Sequence, residues 1–131
     1  MPFGEREPID PIIREEVYHK FGGHCAYCGV QLKTKGFHVD HVIPVAKGGP
    51  EDIMNFFPAC KYCNTLKNAY SLEQFRHMIE TYHLKAGVVV LERFGIINVL
   101  GPVPIVFWFE KQGYTFPEEL VKSMMEINGG T

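Results

Sequence analysis

Apolar and polar positions alternate differently in successive parts of this chain, and the changes of period mark its elements. In DPIIREEVYHKFGG the apolar residues Ile13, Val17 and Phe21 fall four apart, which predicts an amphipathic helix over about 10–22. Asp10 is placed to cap that helix, Pro11 suits its first position, and Gly22 or Gly23 can end it. HCAYCGVQLKTKG is loop-like, and a short strand is expected within 37–43. GGPEDIMN reads as turn, NFFPAC as a second short strand and KYCNTLKNA as a short helix. Ser71 and Gln74 form a capping-box pattern ahead of a further helix, SLEQFRHMIETYHL. Beyond it, AGVVVLERFGIINV fits a strand or a helix equally. IVFWFEKQG reads as a strand with VFWF in the core, and PEELVKSMMEI as a terminal helix starting at Pro117. The expected fold is α+β, one domain over 1–131, with about four helices and a short strand-rich C-terminal segment.

Composition narrows this picture little. The chain has 131 residues, 46% of them hydrophobic and 21% charged, which is the make-up of a folded domain. No apolar run reaches the ~20 residues of a membrane span, and the N-terminus lacks the basic and apolar parts of a secretory signal. The expected location is cytoplasmic, away from membranes. Net charge is −2, but residues 20–67 carry six lysines against three acids and stand at +3. Positive charge gathers where the unusual residues are, and a local patch of this kind can steer a polyanion.

Those unusual residues begin with the cysteines, Cys25 and Cys28 in CAYC and Cys60 and Cys63 in CKYC. Two C-x-x-C pairs without a secretory signal point to a tetrahedral zinc site, ahead of a redox couple or two disulfides. Four sulfurs leave no open position on the ion, so this zinc is structural. The 31 residues between the pairs exceed the spacing of a simple zinc ribbon, and the enclosed segment has chemistry of its own. FHVDHVIPVAKGG places His38, Asp40 and His41 in four positions of one strand, where a purely structural strand would hold none.

Taken together, Asp40–His41, Pro44, Gly48–Gly49, Asn55 and CKYCNTLK resemble the HNH endonuclease family in its four-cysteine form. The resemblance covers about residues 23–67, with the N-terminal helix before it and a C-terminal extension over about 71–131. It implies a ββα-metal core that holds one divalent cation, magnesium or manganese, against a DNA phosphate. It implies that His41 is the general base, that Asp40 and Asn64 are ligands of the cation, and that Asn55 organises the loop and helps to orient the base. The motif then reads H-N-N. The implied reaction is hydrolysis of DNA to 5′-phosphate and 3′-hydroxyl ends.

The chemistry of the residue types agrees with those roles. A histidine has a reference pKa of ~6.5 and takes up a proton near neutrality, while hard cations prefer oxygen ligands. Lys67, Lys61, Lys47 and His38 are the candidate nucleic-acid contacts. His19, His24, His77 and His83 read as surface or capping groups. Adjacent residues of a regular strand point to opposite faces, so joining Asp40 and His41 in one site calls for a bulge or a twisted strand end. The expected partner is double-stranded DNA with weak sequence preference. Sharper specificity would come from a homodimer or a protein partner. A zinc-stabilised binding or interaction module without turnover is the alternative.

Overall fold

The computed structural model describes residues 9–86, 93–94 and 104–129. The undecided segment AGVVVLERFGIINV therefore lies outside the described residues, apart from Ala86, Arg93 and Phe94. Helix α1 spans Pro11–His19, with the Asp10 carboxylate accepting from Ile12 N at 2.7 Å and Pro11 in the first turn. It stops earlier than the expected residue 22, because Gly22 and Gly23 take positive φ and bond back to His19 and Tyr18. Val17 and Phe21 are buried as expected, whereas Ile13 lies at the more exposed end of the stripe.

The chain next forms a knuckle. His24 bridges to Gln31, and Cys25 N donates to Val30 O at 2.8 Å, folding CAYCG into a tight turn. Strand β1 (His38–His41) then pairs antiparallel with β2 (Phe56–Ala59), from His38 opposite Ala59 to His41 opposite Phe56. Pro58 fits in β2 because it sits opposite Val39 and turns its carbonyl outward to Ala26 N at 2.9 Å, so no ladder bond needs its missing N–H. Helix α2 (Lys61–Lys67) follows at once, with the Cys60 sulfur accepting from Cys63 N at its start. It packs on β1 and on α3 (Leu72–Ala86), while α1 covers β2. The Ser71–Gln74 capping box forms reciprocally, at 2.9 and 3.2 Å.

IVFWFEKQG is not a strand. Residues 104–107 run extended, and Trp108–Lys111 make one helical turn, α4. Burial does alternate, with Phe107 and Phe109 inside and Val106 out, but among the described residues no strand pairs with this segment. Instead Trp108 N and Phe109 N donate to Tyr27 O and Ala26 O of the knuckle, and the Glu110 carboxylate caps Phe107 N. The strand-rich C-terminal segment is thus replaced, among the described residues, by an extended strap, α4 and α5 (Glu118–Gly129). The strap's aromatics complete the core, Phe109 lying 4.9 Å from Phe57 and Phe107 stacked at 5.4 Å on Phe75.

Between the strands, short 3₁₀ turns at Val45–Lys47 and Ile53–Asn55 flank a loop that folds back on the chain. Gly49 permits this, since a Cβ there would stand 1.8 Å from the Ile43 carbonyl oxygen. Asn55, fully buried, ties the loop: its amide oxygen accepts from Ile43 N at 2.8 Å, and its amide nitrogen donates to Ile43 O and Pro50 O. Gly49→Ala is expected to lower stability by about 1–3 kcal/mol, the usual penalty for overfilling a packed site. Urea denaturation measures it, and an unchanged midpoint would contradict the close approach.

Candidate functional site

The four sulfurs meet where the knuckle abuts the start of α2. Their ligand atoms all lie within 4.8 Å of one another, and Cys28 Sγ is 3.8 Å from Cys60 Sγ. A tetrahedron of sulfurs at ~2.3 Å from zinc has edges of roughly 3.8 Å, so the cluster has the dimensions of such a site. Cys25, Cys60 and Cys63 are buried and Cys28 half-buried. The four thiols act on one another: hydrogen bonds within the cluster pull Cys25 and Cys60 down and push Cys28 and Cys63 up, and a bound metal would require all four as thiolates. Arg93, not singled out by the sequence, places Nη2 3.3 Å from Cys60 Sγ and its guanidinium 5.2 Å from the Tyr62 ring. A cation suits a cluster that would carry excess negative charge once four thiolates surround one divalent ion.

Asp40 points inward from β1 and is buried. Tyr27, from within the CAYC turn, donates its hydroxyl to Asp40 Oδ2, and Lys67 Nζ stands 3.2 Å from the same oxygen and 3.4 Å from Oδ1. The Lys67 ammonium also donates to His41 O at 2.9 Å. Burial pushes the Asp40 carboxyl up, against the pull of Lys67 and Tyr27, and pushes the Lys67 ammonium down, against the pull of Asp40. Lys67, expected to contact phosphate, is fully buried here and spends its charge on Asp40 instead. Its position one turn after Asn64 aims it along the inner face of α2, toward β1. Neither Tyr27 nor this use of Lys67 was visible beforehand, because each depends on which way the short helix and the knuckle face.

His41 is buried to a similar degree. Its Nε2 meets Glu51 Oε1, and its ring sits edge-on to Phe56 at 5.1 Å. No bulge separates His41 from Asp40, since the four pairs from His38 to His41 are consecutive. The two side chains serve one region without one. Among the described residues the sheet has two strands, and an open groove lined by His38, Asp40, His41, Asn64, Asn68 and Arg14 runs beside β1. Arg14 is fixed at its rim, donating to Phe37 O at 2.6 Å with its guanidinium 4.0 Å over the Phe37 ring.

Asp40, His41, Asn64 and His38 are therefore brought together. Asn55 is not in this groove but behind it, bonded to the loop. Lys61 is exposed and lines a neighbouring groove with Tyr62 and Tyr70, and Lys47 is half-buried at the end of its 3₁₀ turn. Asn68 is the one non-glycine residue with positive φ among those described, at 49°, and its position borders both grooves.

Residues 25–69 match the HNH endonuclease family model. The HNH segment thus runs from the first cysteine of the knuckle to just past α2, taking in the sulfur cluster, both strands and the groove. Over 66 residues the chain is 35% identical to "SPbeta prophage-derived putative HNH endonuclease YoqL" of Bacillus subtilis (strain 168), covering 42% of this chain and 27% of that protein. The chain therefore spans about a quarter of the length of this curated relative. Among solved structures, it is similar to the Type II-C Cas9 enzyme from Actinomyces naeslundii, at 19% identity and a TM-score of 0.48, covering 96% of this chain and 13% of that one.

Within the HNH segment Asp40 and Lys67 form a buried ion pair. Lys67→Ala would leave a buried carboxylate without its cation, an expected loss of about 3–5 kcal/mol. Asp40→Asn in the same chain should recover part of it. Denaturation of the single and double variants checks this; a surface lysine would change stability by no more than ~0.5 kcal/mol.

Proposed function

We propose that this chain is a metal-dependent endonuclease acting on DNA, with His41 as general base and Asp40 and Asn64 as ligands of one divalent cation. The observation that carries this reading is the convergence of an imidazole, a carboxylate and a carboxamide on one open groove inside the HNH segment. The oxygen donors suit magnesium or manganese. Asp40 already receives Tyr27 and Lys67, but a carboxylate has about four lone-pair sites and retains room for ligation. When bound, the cation offsets the charge that builds on the phosphate oxygens.

The chain's own groups do the rest. His41 accepts the proton of the attacking water on a ring nitrogen. Arg14 presents its remaining N–H groups at the groove rim, where a phosphate of the substrate strand would lie. Tyr27 and Lys67 hold Asp40 in place. The sulfur cluster takes zinc and is structural, joining the knuckle that carries Tyr27 to the helix that carries Asn64 and Lys67. Lys61 and His38 are candidate contacts to flanking phosphates, and double-stranded DNA read with little sequence preference is the substrate that such contacts favour.

A binding module without turnover is the second reading, favoured by the burial of Asp40 in an ion pair. Supercoiled plasmid incubated with magnesium or manganese decides between them. Cleavage is expected, with His41→Ala slower by about 10²–10⁴-fold, the usual contribution of a general base. DNA binding without cutting by either protein would favour the module. Metal analysis of the purified chain is expected to find one zinc, whose release by a thiol-reactive mercurial unfolds the protein. Zinc-free folded protein would remove the structural role of the cluster.

A further inference from the structure

The loop that joins β1 to β2 looks like a plain turn, yet its folding delivers one side chain to a specific atom. Gly48 turns with φ 85°, and Gly49 lets the backbone pass against the Ile43 carbonyl. Asn55 then fixes the returning chain by bonding both Ile43 and Pro50 O, the residue immediately before Glu51. The result is that Glu51 Oε1 meets His41 Nε2. The glutamate is otherwise a surface residue, its side chain 61% exposed, while the imidazole it reaches is only 9% exposed.

A carboxylate only accepts hydrogen bonds, so Nε2 must carry the hydrogen, and in a neutral imidazole the basic lone pair then lies on Nδ1. The geometry points to Glu51 as the positioning residue of His41: it fixes the ring in the Nε2–H tautomer and makes Nδ1 the atom that takes the proton. Asn55, held away from the imidazole, acts on the base through Glu51 by shaping the loop that carries it. This assignment rests on reading His41 as the general base, but its geometric half does not. A carboxylate behind a metal-ligating imidazole orients it in the same way, and losing that partner lowers metal affinity or activity by about 10–100-fold.

Electrostatics gives the role a distinguishing signature. Glu51 is a negative charge near the end of β1 that would face a polyanion, so removing it by charge alone should tighten DNA binding. A positioning role predicts the opposite for turnover: kcat falls while KM stays level or drops.

The test uses the 131-residue chain, purified with zinc present, with ¹⁵N-labelled histidine. His41 is assigned by the signals lost in His41→Asn, and the tautomer is read by NMR at about pH 8, where an ordinary imidazole is neutral. The wild type is expected in the Nε2–H form. Glu51→Ala should shift the ring toward a mixture and slow single-turnover plasmid cleavage about 10–100-fold, with an unchanged melting temperature. Glu51→Gln, whose amide oxygen still accepts, should keep the tautomer and recover most of the rate. An Nδ1–H wild type overturns the proposal. So does a Glu51→Ala variant that loses rate without a tautomer change, or changes tautomer without losing rate. If the wild type cuts nothing, the nuclease reading fails by itself, while the tautomer shift still decides whether Glu51 orients the ring.

Discussion

One buried carboxylate holds the site together. Asp40 is reached by a hydroxyl from inside the first cysteine pair and by an ammonium from the end of α2. An ionised carboxylate in a protein interior is tolerated only when paired and hydrogen-bonded, and here the partners come from segments 13 and 27 residues away. Neither partner can move without exposing or orphaning a charge. Lys67 also donates to the His41 carbonyl, so a single ammonium pins both central residues of the groove to α2. Asn64 lies one turn earlier on the same helix, and its distance from β1 is set by the same contact. The sulfur cluster acts on this arrangement from the other end by joining the Tyr27 turn to the start of α2.

The loop between the strands is the second constraint, and it is built from residues whose reasons are steric. Gly49 is present because any side chain would collide with the Ile43 carbonyl. Asn55 is fully buried because its amide satisfies the backbone groups that this close approach would otherwise strand. Both positions were legible in the sequence as parts of a family pattern, and Asn55 bonds Ile43 and Pro50 on either side of the turn. Which side chain that loop carries to the imidazole was not legible. Glu51 sits in a run, GGPEDIMN, whose composition says only that the chain turns.

That difference describes how far the sequence could be read. Features that depend on one element or one spacing came through: the Asp10 cap, the Ser71–Gln74 box, the two cysteine pairs and both strands of the sheet. Features that depend on how elements face each other did not. Lys67 looks like a surface lysine at the end of a short helix, and only the packing of α2 on β1 turns it inward. VFWF is an apolar run that reads as a core strand, but such a run reports burial and not pairing. The segment found its hydrogen bonds on the knuckle's Ala26 and Tyr27 rather than on a sheet. The contact of Asp40 and His41 with one groove was expected to need a bulge, but the register is unbroken from His38 to His41 and both side chains line the groove beside β1.

The inward lysines also change the electrostatic account. Residues 20–67 stand at +3, but two of the six lysines do not serve the surface. Lys67 is cancelled by Asp40. Lys20 donates to Ile53 O and Phe56 O, each at 2.9 Å, and burial brings it down to about 8, so it is partly discharged only slightly above neutral pH. Lys33, Lys35 and Lys61 are exposed, with Lys47 half-buried, and the exposed acids Glu51 and Asp52 offset part of the net charge. A field of that size neutralises few phosphates, and each phosphate neutralised contributes about one unit to the salt dependence of binding. Attraction of a polyanion is then modest and short-ranged. On the proposed function, holding a strand in register would fall to fixed groups in the groove, Arg14 stacked on Phe37 and the α2 amide of Asn64, the latter on the helix that the Asp40 contact ties to β1.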